Sequence, residues 1–153
     1  MKVNIPGQTE LNLKKVVLDL NGMLAVHGKV VNGVSQRIRA LKDKGLRFVL
    51  FSGDTRGNAK SIADILNIEF IAAGTSEEKA REIEKLNPET CVAIGNGLID
   101  LMKIKKAKLG IVTLQAEGVH TKTLMEADII VPSINDALDL LIDEKNLIAT
   151  LRK

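Results

Sequence analysis

The sequence predicts an α/β fold built on a doubly wound, mostly parallel sheet. Three observations lead there. Short apolar, β-branched runs alternate with stretches of helical period along the whole chain. Glycine stops a helix where the next strand must begin, as at Gly45. Polar and acidic residues gather just after the apolar runs, as at Asp19, Ser52 and Asn96. In such sheets ligands sit outside the carboxyl ends of the strands, so those ends are where chemistry is sought.

Met1 to Lys15 reads as an N-terminal strand or hairpin around the Pro6-Gly7 turn. The core strands are expected at Val16–Asp19, Arg47–Phe51, Phe70–Ala72, Cys91–Ile94, Leu109–Thr113 and Ile129–Val131. Val34, Ile38 and Leu41 recur at helical spacing, and Ala59, Ile62, Ala63 and Leu66 repeat the pattern. Ala80, Ile83 and Leu86 mark a third helix, and a fourth is expected from Leu98 to about Lys106. A last helix starts near Ser133, with Asp136 three residues on as a capping-box variant, and buries Ala137, Leu140 and Leu141. No linker, repeat or low-complexity tract interrupts the series, so residues 1–153 read as one domain.

Composition narrows the function classes. Hydrophobic residues make up 45% and charged residues 27%, enough for a full core and a soluble surface. With 2% aromatics and neither Trp nor Tyr, the chain has no stacking platform for single-stranded nucleic acid. A net charge of +3 is too diffuse to imply a nucleic-acid partner. The basic run Lys103, Lys105, Lys106 and Lys108 reads as a solvated helix face. The single cysteine, Cys91, opens an apolar strand and is expected buried and inert. With no signal-peptide pattern and no membrane-length apolar run, a cytoplasmic protein without a membrane partner is expected.

Three strand ends carry the candidate chemistry. The first core strand ends in Asp19-Leu20-Asn21-Gly22, the second in Ser52-Gly53-Asp54-Thr55. The fourth ends in Gly95-Asn96-Gly97, with Asp100 following. Ser52 and Gly53 are expected at a helix N-terminus, where free amides favour an anion. Together these residues suit phosphoryl transfer. A carboxylate attacks phosphorus, a second carboxylate holds Mg²⁺, and amides, a hydroxyl and a lysine neutralise the phosphoryl oxygens.

These motifs resemble those of the haloacid dehalogenase-like (HAD) superfamily of phosphohydrolases, a Rossmann-like fold. Val17-Leu18-Asp19-Leu20-Asn21-Gly22-Met23-Leu24 is similar to the first motif, Asp-x-Asp-Gly-Thr-Leu. Phe51-Ser52-Gly53-Asp54 resembles the second, in the Thr/Ser-Gly-Asp form of P-type ATPases, and Lys79 falls where those ATPases carry a lysine. Gly95-Asn96-Gly97-Leu98-Ile99-Asp100 resembles the fourth, and Ala127-Asp128-Ile129 the segment after it. The subgroup it resembles is the soluble, cap-free set likened to the P-type ATPase phosphorylation domain. Only 32 residues separate Asp19 from Ser52 and 26 separate Ser52 from Lys79, which leaves no room for a cap. Small cap-free members, such as the 3-deoxy-manno-octulosonate phosphate phosphatases, resemble this layout and form tetramers, so a homo-oligomer is an expected partner state.

The resemblance implies Asp19 as nucleophile, Asn21 orienting the leaving oxygen, and Ser52, Gly53 and Lys79 binding the phosphoryl group. It implies a Mg²⁺ site made by Asp19, the Asn21 carbonyl, Asn96 and Asp100. Three residues depart from the pattern. Asn21 replaces the general acid/base Asp, and an amide cannot shuttle a proton. Losing that group costs roughly 10²–10⁴ in rate. Met23 replaces a Thr, and Asn96 replaces an Asp that helps hold the metal. Bland readings stand beside these roles. Asp54 equally suits a first-turn dipole partner, and Lys79 a solvated helix lysine. His27 reads as a solvated flap-turn residue, and His120 as a surface residue. The function expected is a slow, Mg²⁺-dependent hydrolase acting on a phosphorylated small molecule or phosphoprotein. The alternative is a non-catalytic HAD-fold scaffold.

Overall fold

The computed structural model describes residues 1–153. A first hairpin pairs β1 (Lys2–Val3) with β2 (Leu11–Asn12), turning through Pro6-Gly7 as expected. β3 (Lys15–Leu18) follows, then a small flap of β4 (Ala25–Val26) and β5 (Lys29–Val30). His27 and Gly28 both take positive φ at the flap tip (52° and 78°), as a two-residue hairpin turn requires. The chain continues through α1 (Val34–Asp43), β6 (Arg47–Ser52), α2 (Ala59–Leu66), β7 (Glu69–Ala72) and α3 (Ser76–Lys85). Then come β8 (Cys91–Gly95), α4 (Leu101–Lys106), β9 (Leu109–Thr113), α5 (Thr121–Glu126) and β10 (Ile129–Val131). Two helices close the fold, α6 (Ile134–Ile142) and α7 (Glu144–Leu151).

Six strands form one sheet in the order β10-β9-β8-β3-β6-β7, with every pair parallel. The chain steps outward from β3 through β6 to β7. It then crosses back to β8 and steps outward through β9 to β10. The direction reverses between β3 and β8, so the crevice for a ligand opens at their carboxyl ends. The intervals after Asp19 and after Ser52 hold only the flap with α1, and α2 with β7. Neither holds a cap.

Side chains alternate between the two faces of the sheet. Val16, Leu18, Phe48, Leu50, Val92 and Ile94 pack with α1, α2, α6 and α7 in the larger apolar cluster. Val17, Val49, Phe51 and Ala93 pack on the other face with Ile83 of α3 and Ile104 of α4. Cys91 is buried there, as expected.

Several boundaries differ from those expected. α5 and α7 were not anticipated. α5 has six residues, too few for a helical period to stand out. Only Asp143 separates α6 from α7, and it caps the new helix by accepting from the Lys145 amide at 3.1 Å. The fourth helix begins as a 3₁₀ turn over Leu98–Asp100. α2 begins only at Ala59, so Ser52 and Gly53 lie before a loop rather than at a helix N-terminus. No helix is long and apolar enough to cross a membrane.

Leu50 is fully buried between β3 and β7, in the larger cluster. Leu50→Ala is expected to lower unfolding stability by about 2–5 kcal/mol. Urea denaturation checks this, with the slope unchanged if only the cavity matters.

Candidate active site

Sheet register assembles the site. Leu18 of β3 lies opposite Leu50 of β6 and Ile94 of β8. The next residues, Asp19, Phe51-Ser52 and Gly95-Asn96, therefore emerge side by side. They open onto a cleft of about 300 Å³. Asp19, Asn21, Ser52, Gly53, Lys79 and Asn96 all line it, so six of the seven expected residues meet there. Thr55, Gly74, Gly97, Ile99 and Glu117 complete the lining.

Lys79 is not solvated. Only 1% of it is exposed, and its Nζ donates to Asp19 Oδ1 at 2.8 Å and Asp100 Oδ1 at 2.9 Å. Its place in the first turn of α3 is set by a capping box. Thr75 Oγ1 accepts from the Glu78 amide at 3.1 Å, and Glu78 Oε2 accepts from the Thr75 amide at 3.2 Å.

The seventh residue, Asp100, stands behind the cleft and is fully buried. Its Oδ1 accepts from Lys79 and lies 3.0 Å from Lys103 Nζ. Its Oδ2 accepts from the Asn96 and Gly97 amides at 3.1 and 3.3 Å. A Cβ on Gly95 would fall 2.5 Å from Asp100 Cγ, so only glycine lets the carboxylate fold back onto the strand end. Both oxygens are thus engaged by lysines and amides. Among the four residues expected at a metal, Asp100 is the one that does not line the cleft.

Lys103 requires a correction, since it is not part of a solvated helix face. Its ammonium is fully buried, and it donates to the Ile94 carbonyl at 2.8 Å beside its contact with Asp100. Lys105 lies 3.8 Å from Glu126, Lys106 bonds Glu84 and Lys108 lies 3.5 Å from Glu89, so within the basic run Lys103 alone is buried.

The buried charges perturb one another. Burial, then the Asp100 charge, raises the Asp19 pKa, with Lys79 opposing. Burial works against ionised Asp100, but Lys103 and Lys79 outweigh it and hold its carboxyl well below the usual range. Burial opposes the Lys79 charge too, yet Asp100 and Asp19 carry its pKa above the ordinary lysine value. For Lys103 burial prevails and lowers it, although Asp100 pulls the other way.

Ser52 is buried, and its Oγ accepts from the Asp54 amide at 3.0 Å. Asp54 Oδ1 accepts from the Ala59 amide at 2.8 Å, so Asp54 reaches the first amide of α2 from the loop ahead of it rather than from its first turn. Asn96 Nδ2 donates to the Gly118 carbonyl at 3.3 Å. His120 caps α5 through Nδ1, which accepts from the Lys122 amide at 3.3 Å. His27 is exposed at the flap tip.

Of the residues expected at a metal, the cleft is lined by Asp19, Asn21 and Asn96, which carry one carboxylate and two amides. One charged and two neutral donors suit a Mg²⁺ that keeps several waters. Reading the sequence missed Lys103, Thr55 and Glu117 in this neighbourhood. Lys103 had a signal, since it follows Asp100 at i+3, a spacing that brings helical side chains together. Glu117 had none.

A family model described as haloacid dehalogenase-like hydrolase matches residues 1–108. The chain belongs to this family. A soluble P-type ATPase-like phosphatase of Methanocaldococcus jannaschii is 30% identical over 76% of this chain, which spans 45% of that protein. A copper-exporting P-type ATPase of Staphylococcus aureus is 32% identical over 79% of this chain and 15% of its own. Among solved structures, a 3-deoxy-D-manno-octulosonate 8-phosphate phosphatase from Moraxella catarrhalis, in complex with magnesium, phosphate and the KDO molecule, superposes with a TM-score of 0.70. It is 19% identical and covers 93% of this chain and 95% of its own, a likeness of fold.

Removing the Asp100 charge strands two lysines. Asp100→Asn is expected to cost about 3–5 kcal/mol at neutral pH, because Lys103 keeps a buried charge without its counter-ion. Asp100 holds a depressed pKa in the folded state, so its contribution is complete above its unfolded pKa of about 3.9. It is lost as pH falls from there through the folded value. The stability gap between wild type and variant, followed by chemical denaturation, should therefore close only in acid.

Proposed function

We propose that this member of the family is a phosphatase-type hydrolase that works through an aspartyl phosphate on Asp19. One observation carries the reading: Asp19 lies at a strand end in an open cleft, with the buried Lys79 ammonium 2.8 Å from one of its oxygens. Held there, the lysine meets an incoming phosphoryl oxygen and offsets the repulsion between two anions. Ser52 and the Gly53 backbone bind the other oxygens. Asn21 hydrogen-bonds the leaving oxygen without protonating it. Asp19, the Asn21 carbonyl and Asn96 would hold Mg²⁺, which supplies charge neutralisation to the phosphoryl group when bound. Asp100 acts from behind by orienting Lys79.

With no cap domain the cleft suits a phosphorylated small molecule or a phosphorylated protein segment. The relative named a soluble P-type ATPase-like phosphatase supports this class of reaction. Acyl and aryl phosphates, whose leaving groups depart as anions, should be turned over faster than alkyl esters, whose leaving oxygen needs a proton that Asn21 does not give. Hydrolysis of acetyl phosphate and p-nitrophenyl phosphate with and without Mg²⁺ tests the proposal. Turnover should depend on Mg²⁺ and vanish in Asp19→Asn. Asn21→Asp, which restores a carboxyl at this position, should turn over the alkyl ester β-glycerol phosphate at least as fast as wild type. A wild type that matches Asp19→Asn on every substrate would sink the reading.

A further inference from the structure

We infer that Glu117 supplies the acid/base carboxyl that Asn21 lacks. The inference rests on the phosphatase reading of the same cleft. Asp19 and Glu117 are the two carboxylates that line it. Asp19 is committed to the attack on phosphorus, so proton transfer by a carboxyl falls to Glu117.

Position supports the assignment. Glu117 lies over Gly22, the residue after Asn21. A Cβ on Gly22 would sit 2.4 Å from Glu117 Cγ and Cδ and 2.6 Å from Oε2. Gly22, at φ +70°, therefore leaves the space that this side chain occupies. The carboxyl is delivered beside the very position where the family pattern has an aspartate. Glu117 is exposed at the cleft, so it can exchange protons with solvent between turnovers.

The loop that carries it is held on both sides. Gln115 Oε1 accepts from the Ile134 amide at 2.8 Å, tying the near side to the start of α6. On the far side the Gly118 carbonyl accepts from Asn96 Nδ2 at 3.3 Å, and the His120 amide donates to the Asn96 carbonyl at 2.9 Å. An aspartate at position 96 would carry no N–H for Gly118. The two amides that depart from the family pattern are thereby linked. Asn21 gives up a carboxyl, and Asn96 anchors the loop that brings another.

The steps balance. Asp19 attacks phosphorus and the bond from phosphorus to the leaving oxygen breaks. Glu117, protonated, gives its proton to that oxygen, and an alcohol leaves. Water then attacks the aspartyl phosphate while the Glu117 carboxylate takes its proton. The bond from phosphorus to Asp19 breaks, inorganic phosphate is released, and Glu117 is again protonated.

The test combines leaving groups with a double-mutant cycle in the full chain. Glu117→Gln should lower kcat on β-glycerol phosphate by about 10²-fold. Its KM there, and its formation of the aspartyl enzyme from acetyl phosphate, should change little, since an acetate leaving group needs no proton. In an Asn21→Asp background, where position 21 supplies the acid, the same substitution should cost almost nothing. Equal losses in the rate of aspartyl-enzyme formation from both leaving groups, or equal losses in both backgrounds, overturn the role. A loss restored by excess Mg²⁺ also overturns it, because Glu117 would then serve the metal. Asp19-dependent hydrolysis of acetyl phosphate without any turnover of the alkyl ester removes Glu117 alone. Silence on every substrate removes the phosphatase reading and this inference with it.

Discussion

A carboxylate with no exposure to water must be met by charge and hydrogen bonds from its own chain, and the arrangement around Asp100 follows from that need. Four donors reach its two oxygens. They come from α3, from α4, and from the two amides that follow β8. One ion cluster thus locks two helices to the end of the strand beside the topological reversal. Lys79 then extends the lock to Asp19 at the end of β3. The buried charges are two carboxylates and two ammoniums, so the set is neutral within the chain. Lys103 balances Asp100, which leaves the Lys79 charge shared between Asp19 and an incoming anion.

Under the proposed function, that neutrality bears on how the cleft would meet a phosphoryl group. Lys103 makes no contact with the open cleft, yet it sets how strongly Asp100 draws on Lys79. Without it, Asp100 would claim the Lys79 ammonium and weaken its hold at Asp19. A buried ion cluster of this kind is costly to desolvate and adds little net stability against an apolar alternative. Its contribution here is positional. It fixes the ammonium within hydrogen-bonding distance of Asp19 Oδ1, so that a positive charge is already in place at the cleft.

The two asparagines place the remaining polarity. Both line the cleft, and Asn96 donates an N–H that joins the loop after β9 to the loop after β8. Structure and chemistry meet at this point: an amide is a weaker metal donor than a carboxylate but a better tether. The cleft gains a connection to Glu117 where it gives up a negative charge.

Much of this protein was legible in the residues. Alternating strand and helix periods gave the doubly wound sheet, and Leu109–Thr113 and Ile129–Val131 match their expected spans. Asp19, Ser52 and Asn96 could be found because strand ends are set by local pattern and parallel sheets open at those ends. Other features only the tertiary structure decided. Lys103 reads like its neighbours Lys105 and Lys106, and what buries it is a carboxylate met by a fold-back onto Gly95. Glu117 lies in an unpatterned loop, and its nearness to Gly22 exists only once β3 and β9 share a sheet. Periodicity reports which way a backbone faces, and sequence therefore determined the frame and the place of Asp19 at its strand end. Whether a charged side chain is solvated, paired or aimed into a cleft depends on partners distant in the chain, so the folded structure alone determined the company those charges keep.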